Sequence, residues 1–105
     1  MSAPPKYSPA SESGAVTRVL NIVNEKGLHA RASAKFVVVV EQFKDTASIK
    51  VSRGDETVSG DSIMGLMMLG AGLGSSITIS ATGAQAREAI EALAALVSSK
   101  FGEEE

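Results

Sequence analysis

The sequence predicts an α+β fold in which helices cover one face of a sheet. Three observations predict it. Short runs alternate apolar and polar residues with the period of strands, longer runs repeat apolar residues with the period of helices, and the two kinds follow each other as β-α-β-β-α-β-α. At 105 residues the chain is one domain, large enough to bury a moderate core without a disulfide or a metal.

Val16 to Val23 is rich in β-branched and aliphatic residues and stops at the polar cluster Asn24-Glu25-Lys26-Gly27, a strand followed by a loop. From Ala30 to Phe43 the spacing of Ala32, Phe36, Val39 or Val40, and Phe43 fits a helix stripe, although Val37 to Val40 alone reads as strand. Ile49 and Val51 alternate with Lys50 and Ser52, Arg53-Gly54-Asp55 turns, and Thr57-Val58-Ser59 returns as the second arm of a hairpin. Asp61-Ser62 can cap a short helix to about Leu69, which Gly70, Gly72 and Gly74 end. Ser76 to Ala81 alternates as a half-buried strand. Residues 84 to 101 place Ala86, Ala89, Ile90, Leu93, Val97 and Phe101 at helical spacing, with Gly102 as a stop. Residues 1–14, with Pro4, Pro5 and Pro9 among Ser and Gly, are expected to form a flexible tail. The domain then covers 15–102, and 103–105 is expected to be a solvated acidic end.

Composition excludes several functions. Ten Lys and Arg against twelve Asp and Glu leave a net charge of -2, without the basic excess that a nucleic-acid binder uses. A generic RNA- or metal-binding plait fits the element order but would need stacking aromatics and a basic face. No cysteine is present and the one histidine has no companions, so neither a thiolate site nor a metal site is expected, and no cofactor. The N-terminus lacks the apolar run of a signal peptide, and no segment has the roughly 20 apolar residues of a membrane span, so a cytoplasmic protein is expected. Gly70-Ala71-Gly72-Leu73-Gly74 follows a helix and leads into a strand, the reverse of a dinucleotide loop, and reads as a turn.

The one histidine, His29, falls where a glycine-containing loop meets a helix. The first turn of a helix presents unpaired N–H groups and partial positive charge, which suit a phosphoryl group. Arg31, two residues on, adds a guanidinium whose fork matches phosphate oxygens. A neutral imidazole nitrogen is a competent nucleophile near pH 7 without a separate base, because its reference pKa is about 6.5. These residues alone are also compatible with an ordinary polar helix start, in which His29 is idle.

Asn24-Glu25-Lys26-Gly27-Leu28-His29-Ala30-Arg31-Ala32-Ser33-Ala34-Lys35-Phe36-Val37 resembles the active-site loop and first helix of the HPr family, the histidine phosphocarriers of the bacterial phosphoenolpyruvate-dependent phosphotransferase system. The resemblance extends over about residues 16 to 101 and includes Ser62 to Leu69 and Ser76 to Gly83. It implies an open-faced β-sandwich, four antiparallel strands with three helices on one side. It also implies that His29 takes a phosphoryl group on Nδ1 from enzyme I, beside Arg31, and gives it to an enzyme IIA. The chain would then be a monomeric transfer intermediate rather than a stand-alone catalyst. Many members have Pro where Ala32 stands here; Ala restores a backbone donor and favours helix. Arg31-Ala32-Ser33 looks more like the nitrogen-type and alphaproteobacterial carriers than the sugar-transport type.

The short helix has two apolar faces, Leu66 with Leu69 and Ile63 with Met64 and Met67. Only one can meet the sheet, so the other is expected to be partly exposed and to suit several partners through flexible Met side chains. In the family, residues matching Ile63, Met64 and Met67 dock on enzyme I and enzyme IIA. Ser62 matches the serine that HPr kinase/phosphorylase modifies in many members. Capping alone also accounts for Ser62, and a binding module governed by Ser62 with an idle His29 stands as the alternative function.

Overall fold

The computed structural model describes residues 8–10 and 15–103. The strands are β1 (Ser8–Ala10), β2 (Ala15–Asn21), β3 (Ser48–Arg53), β4 (Glu56–Ser59) and β5 (Ser76–Thr82), and the helices α1 (Ala30–Gln42), α2 (Ile63–Met68) and α3 (Ala86–Ser98). All strand pairs are antiparallel, in the order β1-β2-β5-β3-β4. The expected four-stranded sheet is therefore present as β2 to β5. β1 adds a short edge strand inside the segment read as a tail. Pairing with an edge needs only the free backbone groups of β2, a demand that composition does not reveal, and Pro9 is tolerated because an edge residue needs no second ladder bond. The rest of the expected tail, 1–7 and 11–14, lies outside the described residues, as do 104–105.

Register explains why one face is covered. Leu20 lies opposite Ile77, Val51 opposite Ile79 and Ile49 opposite Ala81. Directly paired residues point to the same side of a sheet, so these side chains form one apolar face. The three helices share its core: Ala32, Phe36 and Val40 from α1, Leu66 from α2, and Ala89, Ile90, Leu93 and Val97 from α3. Most opposite positions, including Asn21, Ser76, Thr78, Ser80 and Lys50, are polar, with exposed Val19, paired with Thr78, the apolar exception. The valine run resolves as helix because only Val40 of Val37 to Val40 is fully buried, while Val38 faces solvent.

Two local features steer the chain. Between β3 and β4 the two-residue turn has Gly54 at φ +60 and no positive φ at Asp55, the pattern of a type II′ hairpin. At the C-terminus the stripe that predicts helix to residue 101 breaks earlier, since α3 ends at Ser98 and a 3₁₀ turn, Lys100–Gly102, follows. Lys100 and Phe101 both have left-handed φ, 61 and 57. That conformation costs about 1–2 kcal/mol per residue. Burial of the Phe101 ring, worth about 3 kcal/mol, and the bond from Lys35 Nζ to the Phe101 carbonyl at 2.7 Å, worth about 1.5–3 kcal/mol, offset it.

Gly27 fixes the loop ahead of α1. It has φ +63, and a Cβ there would stand 2.3 Å from the carbonyl oxygen of Ala71, the same oxygen that accepts the Leu28 N–H at 3.0 Å. Gly54 is as left-handed but has open space around it. Gly27→Ala is expected to lower unfolding free energy by about 2–4 kcal/mol, strain plus clash, and Gly54→Ala by about 1–2 kcal/mol, strain alone. Urea unfolding of both checks this; equal losses would show that the Gly27 contact yields freely.

Candidate functional site

The loop between β2 and α1 is tied down from inside. Asn24 is fully buried; its Nδ2 donates to the Gly27 carbonyl at 3.0 Å, and the Gly27 N–H donates to the Asn24 carbonyl at 3.2 Å. Leu28 is buried, and its carbonyl accepts from the hydroxyl of buried Ser33 at 3.1 Å. His29 therefore has little freedom where the helix begins.

His29 is the N-cap of α1, with extended backbone at φ -75 and ψ -178. Its carbonyl accepts the Ser33 N–H at 2.8 Å, and its ring Nδ1 accepts the Arg31 N–H at 3.2 Å. The ring thus does what Ser or Asp commonly does at this position, satisfying an orphan donor of the first turn. No acidic residue occupies that turn, so the positive end of the helix is left for an anion. Lys26, Arg31 and Lys35 line the open cleft around His29, with Glu25, Gly102 and Glu103. Arg31 is exposed and lines the same cleft as His29.

The expectation that 103–105 is simply a solvated acidic end fails at Glu103. Its Oε2 lies 2.5 Å from His29 Nε2 and its Oε1 accepts from Asn24 Nδ2 at 3.2 Å, leaving the side chain 14% exposed. The physical reason is the left-handed turn at Lys100 and Phe101, which sends the chain back toward the start of α1. Sequence reasoning missed Asn24, Lys35 and Glu103 as parts of this site. Asn24 had only the signature of a polar turn, and Glu103 lies 74 residues from His29, so only topology joins them. The one usable signal was Gly102 directly after the last apolar residue of the stripe.

On the other side of His29, a shallow depression is lined by Lys26, Leu28, His29, Met67 and Gly70 to Gly72. Leu66 and Leu69 are buried, whereas Ile63, Met64, Met67 and Met68 are exposed, Met64 by 68% and Met68 by 72%. Met68 was missing from the face read in the sequence. Ser62 is the N-cap of α2, its Oγ accepting the Gly65 N–H at 2.9 Å, and Asp61 instead accepts from Ser59 at 2.6 Å. Arg53 closes the far end of α2 by donating to the Leu69 carbonyl at 3.0 Å. Among the described residues no cluster of ligands suits a metal ion, and no helix is long and apolar enough to cross a membrane.

The hydrogen bond to His29 holds the Glu103 carboxyl below the usual carboxylate range; burial opposes this, while the Asn24 amide and the charges of His29 and Lys35 add to it. A carboxyl depressed in the folded state stabilises fully above its unfolded pKa of about 4.3 and loses that contribution as pH falls through the depressed value. The stability advantage of the native chain over Glu103→Gln is therefore expected to be lost as pH falls through the carboxylate range. Unfolding midpoints measured down through the carboxylate range, from about pH 4.3, check it, and an advantage that persists at the acid end would contradict it.

The family described as the PTS HPr component phosphorylation site matches residues 16–99. Phosphocarrier protein HPr of Cupriavidus necator is 46% identical over 88 residues, 84% of this chain and 97% of that one. Phosphocarrier protein NPr of Shewanella violacea, of the nitrogen type, is 40% identical over 86 residues, 82% of this chain and 92% of that one. The crystal structure of HPr-C-His from Thermoanaerobacter tengcongensis superposes with a TM-score of 0.79 at 42% identity, covering 85% of this chain and 98% of that one. With its histidine capping a helix inside the matched segment, the chain belongs to the HPr family of phosphocarriers of the phosphotransferase system.

Proposed function

We propose that His29 accepts a phosphoryl group on Nδ1 from enzyme I, itself charged by phosphoenolpyruvate, and passes it to an enzyme IIA. The observation that carries this reading is the position of Nδ1 at the N-terminus of α1, accepting the Arg31 N–H. When phosphorus bonds to Nδ1, a phosphoryl oxygen takes over that N–H, and the helix end and the neighbouring cations offset its charge. Positioning and charge neutralisation are most of what phosphoryl transfer asks of a protein. The chain then serves as a carrier between partners, acting as a monomer in the cytoplasm.

Exposed Ile63, Met64 and Met67 on α2 are the proposed docking face, because Met67 and His29 line one depression and a partner seated on α2 reaches the ring. Ser62, at the head of that face, is the proposed target of HPr kinase/phosphorylase. A phosphate there would add about -1.5 to -2 charge beside an apolar contact and oppose docking.

Incubation with enzyme I and phosphoenolpyruvate is expected to give one acid-labile phosphate that His29→Ala abolishes, and incubation with the kinase an acid-stable one that Ser62→Ala abolishes. Mass spectrometry at neutral and acid pH reads both; an acid-labile label persisting in His29→Ala would refute the carrier reading. Met64→Glu is expected to slow phosphoryl uptake from enzyme I by roughly tenfold, a loss of about 1.4 kcal/mol at the interface. Its unfolding free energy should stay within about 0.5 kcal/mol of the parent. Uptake at the parent rate would place docking elsewhere.

A further inference from the structure

The carboxylate of Glu103 is clamped from both sides. One oxygen meets His29 Nε2 at 2.5 Å and the other accepts from Asn24 Nδ2 at 3.2 Å. Asn24 also donates to the Gly27 carbonyl, so both neighbours on its Nδ2 side are acceptors, while its Oδ1 is buried without a hydrogen-bond partner. Turning the amide over would aim Oδ1 at a carboxylate and a carbonyl, and repulsion forbids it. An unpartnered buried acceptor is a standing cost, accepted here to hold a carboxylate against the histidine. An exposed ion pair on a loose terminus would contribute little; this one is sheltered, and buried Phe101 with its bond to Lys35 anchors the chain two residues away.

We propose that Glu103, held by Asn24, is a positioning residue for phosphoryl transfer: together with the Arg31 N–H on Nδ1 it keeps the proton of the neutral His29 ring on Nε2 and Nδ1 unprotonated, and it offsets the charge the ring acquires. The proposal rests on His29 being the acceptor. A neutral imidazole carries its proton on either nitrogen, and the hydrogen bond made by one decides the state of the other. In the transfer, the Nδ1 lone pair attacks the phosphorus of a phosphohistidine on the donor protein. The Nδ1–P bond forms as the donor P–N bond breaks, and that electron pair returns to the donor imidazole. The proton stays on Nε2 throughout, so the His29 ring becomes cationic, and the carboxylate facing that edge balances it. The reverse sequence delivers the group onward.

The test joins two readouts on the full chain: nitrogen NMR of the unphosphorylated His29 ring, which reports the tautomer, and the rate of phosphoryl uptake from phosphorylated enzyme I. The native ring is expected to show a protonated Nε2 and a bare Nδ1. Glu103→Ala should give a mixture of tautomers and, by analogy with other groups that orient a histidine from behind, uptake slower by about tenfold. Glu103→Gln keeps an oxygen for the Nε2 proton but no charge, so it should keep the tautomer and fall between the two in rate; it also carries the test if the alanine variant loosens the fold. Native tautomer and uptake within twofold in both variants would overturn the proposal, as would a changed tautomer with unchanged uptake. Label persisting in His29→Ala would overturn the carrier reading instead, which separates the two failures.

Discussion

Both nitrogens of the His29 ring are engaged, Nδ1 by the first turn of α1 and Nε2 by Glu103, and most of the molecule serves to keep them so. A histidine on a free loop would sample many rotamers and both tautomers. Here the backbone is capped, Leu28 is buried, and the loop is tied by the Leu28 N–H to the Ala71 carbonyl in the segment after α2. Fixing the geometry in advance removes a cost that would otherwise fall at the moment of transfer.

The sheet supplies this constraint from a distance. Its antiparallel order carries β2 into the loop before α1, and its apolar face receives α1, α2 and α3 together. The start of α1, the end of α2 and the tail beyond α3 therefore converge, although they lie far apart in sequence. One side of His29 is polar and charged, where a phosphoryl group can be held; the other is apolar, where a partner can seat. The open sheet face, lined by residues such as Thr78, Ser80 and Lys50, takes no part in the site.

Much of this was legible from residues close together in sequence. The helical period of Ala32, Phe36 and Val40, the Gly54-Asp55 turn and the cap at Ser62 are local signals, and each led to the right element. Two apolar faces on one short helix were enough to expect an exposed one. The misses have a common cause. Edge pairing by Ser8–Ala10, the left-handed exit at Lys100 and Phe101, and the contact of Glu103 with His29 all depend on where distant segments are brought by the fold. Phe101 continues the helix stripe in register, yet its ring is buried from a turn and not from a helix, and periodicity cannot distinguish the two. Asn24 is the plainest example: a residue type that usually marks a solvated turn is here completely buried.

Transfer through this site requires that phosphorus bond to one particular atom. Nitrogen and phosphorus NMR of the chain labelled with ¹⁵N and charged by enzyme I and phosphoenolpyruvate measures it directly, through the coupling between phosphorus and the ring nitrogen that carries it. Coupling to Nδ1 of His29 is expected, with the Nε2 proton retained. Coupling to Nε2, or phosphorus on oxygen rather than nitrogen, would contradict it.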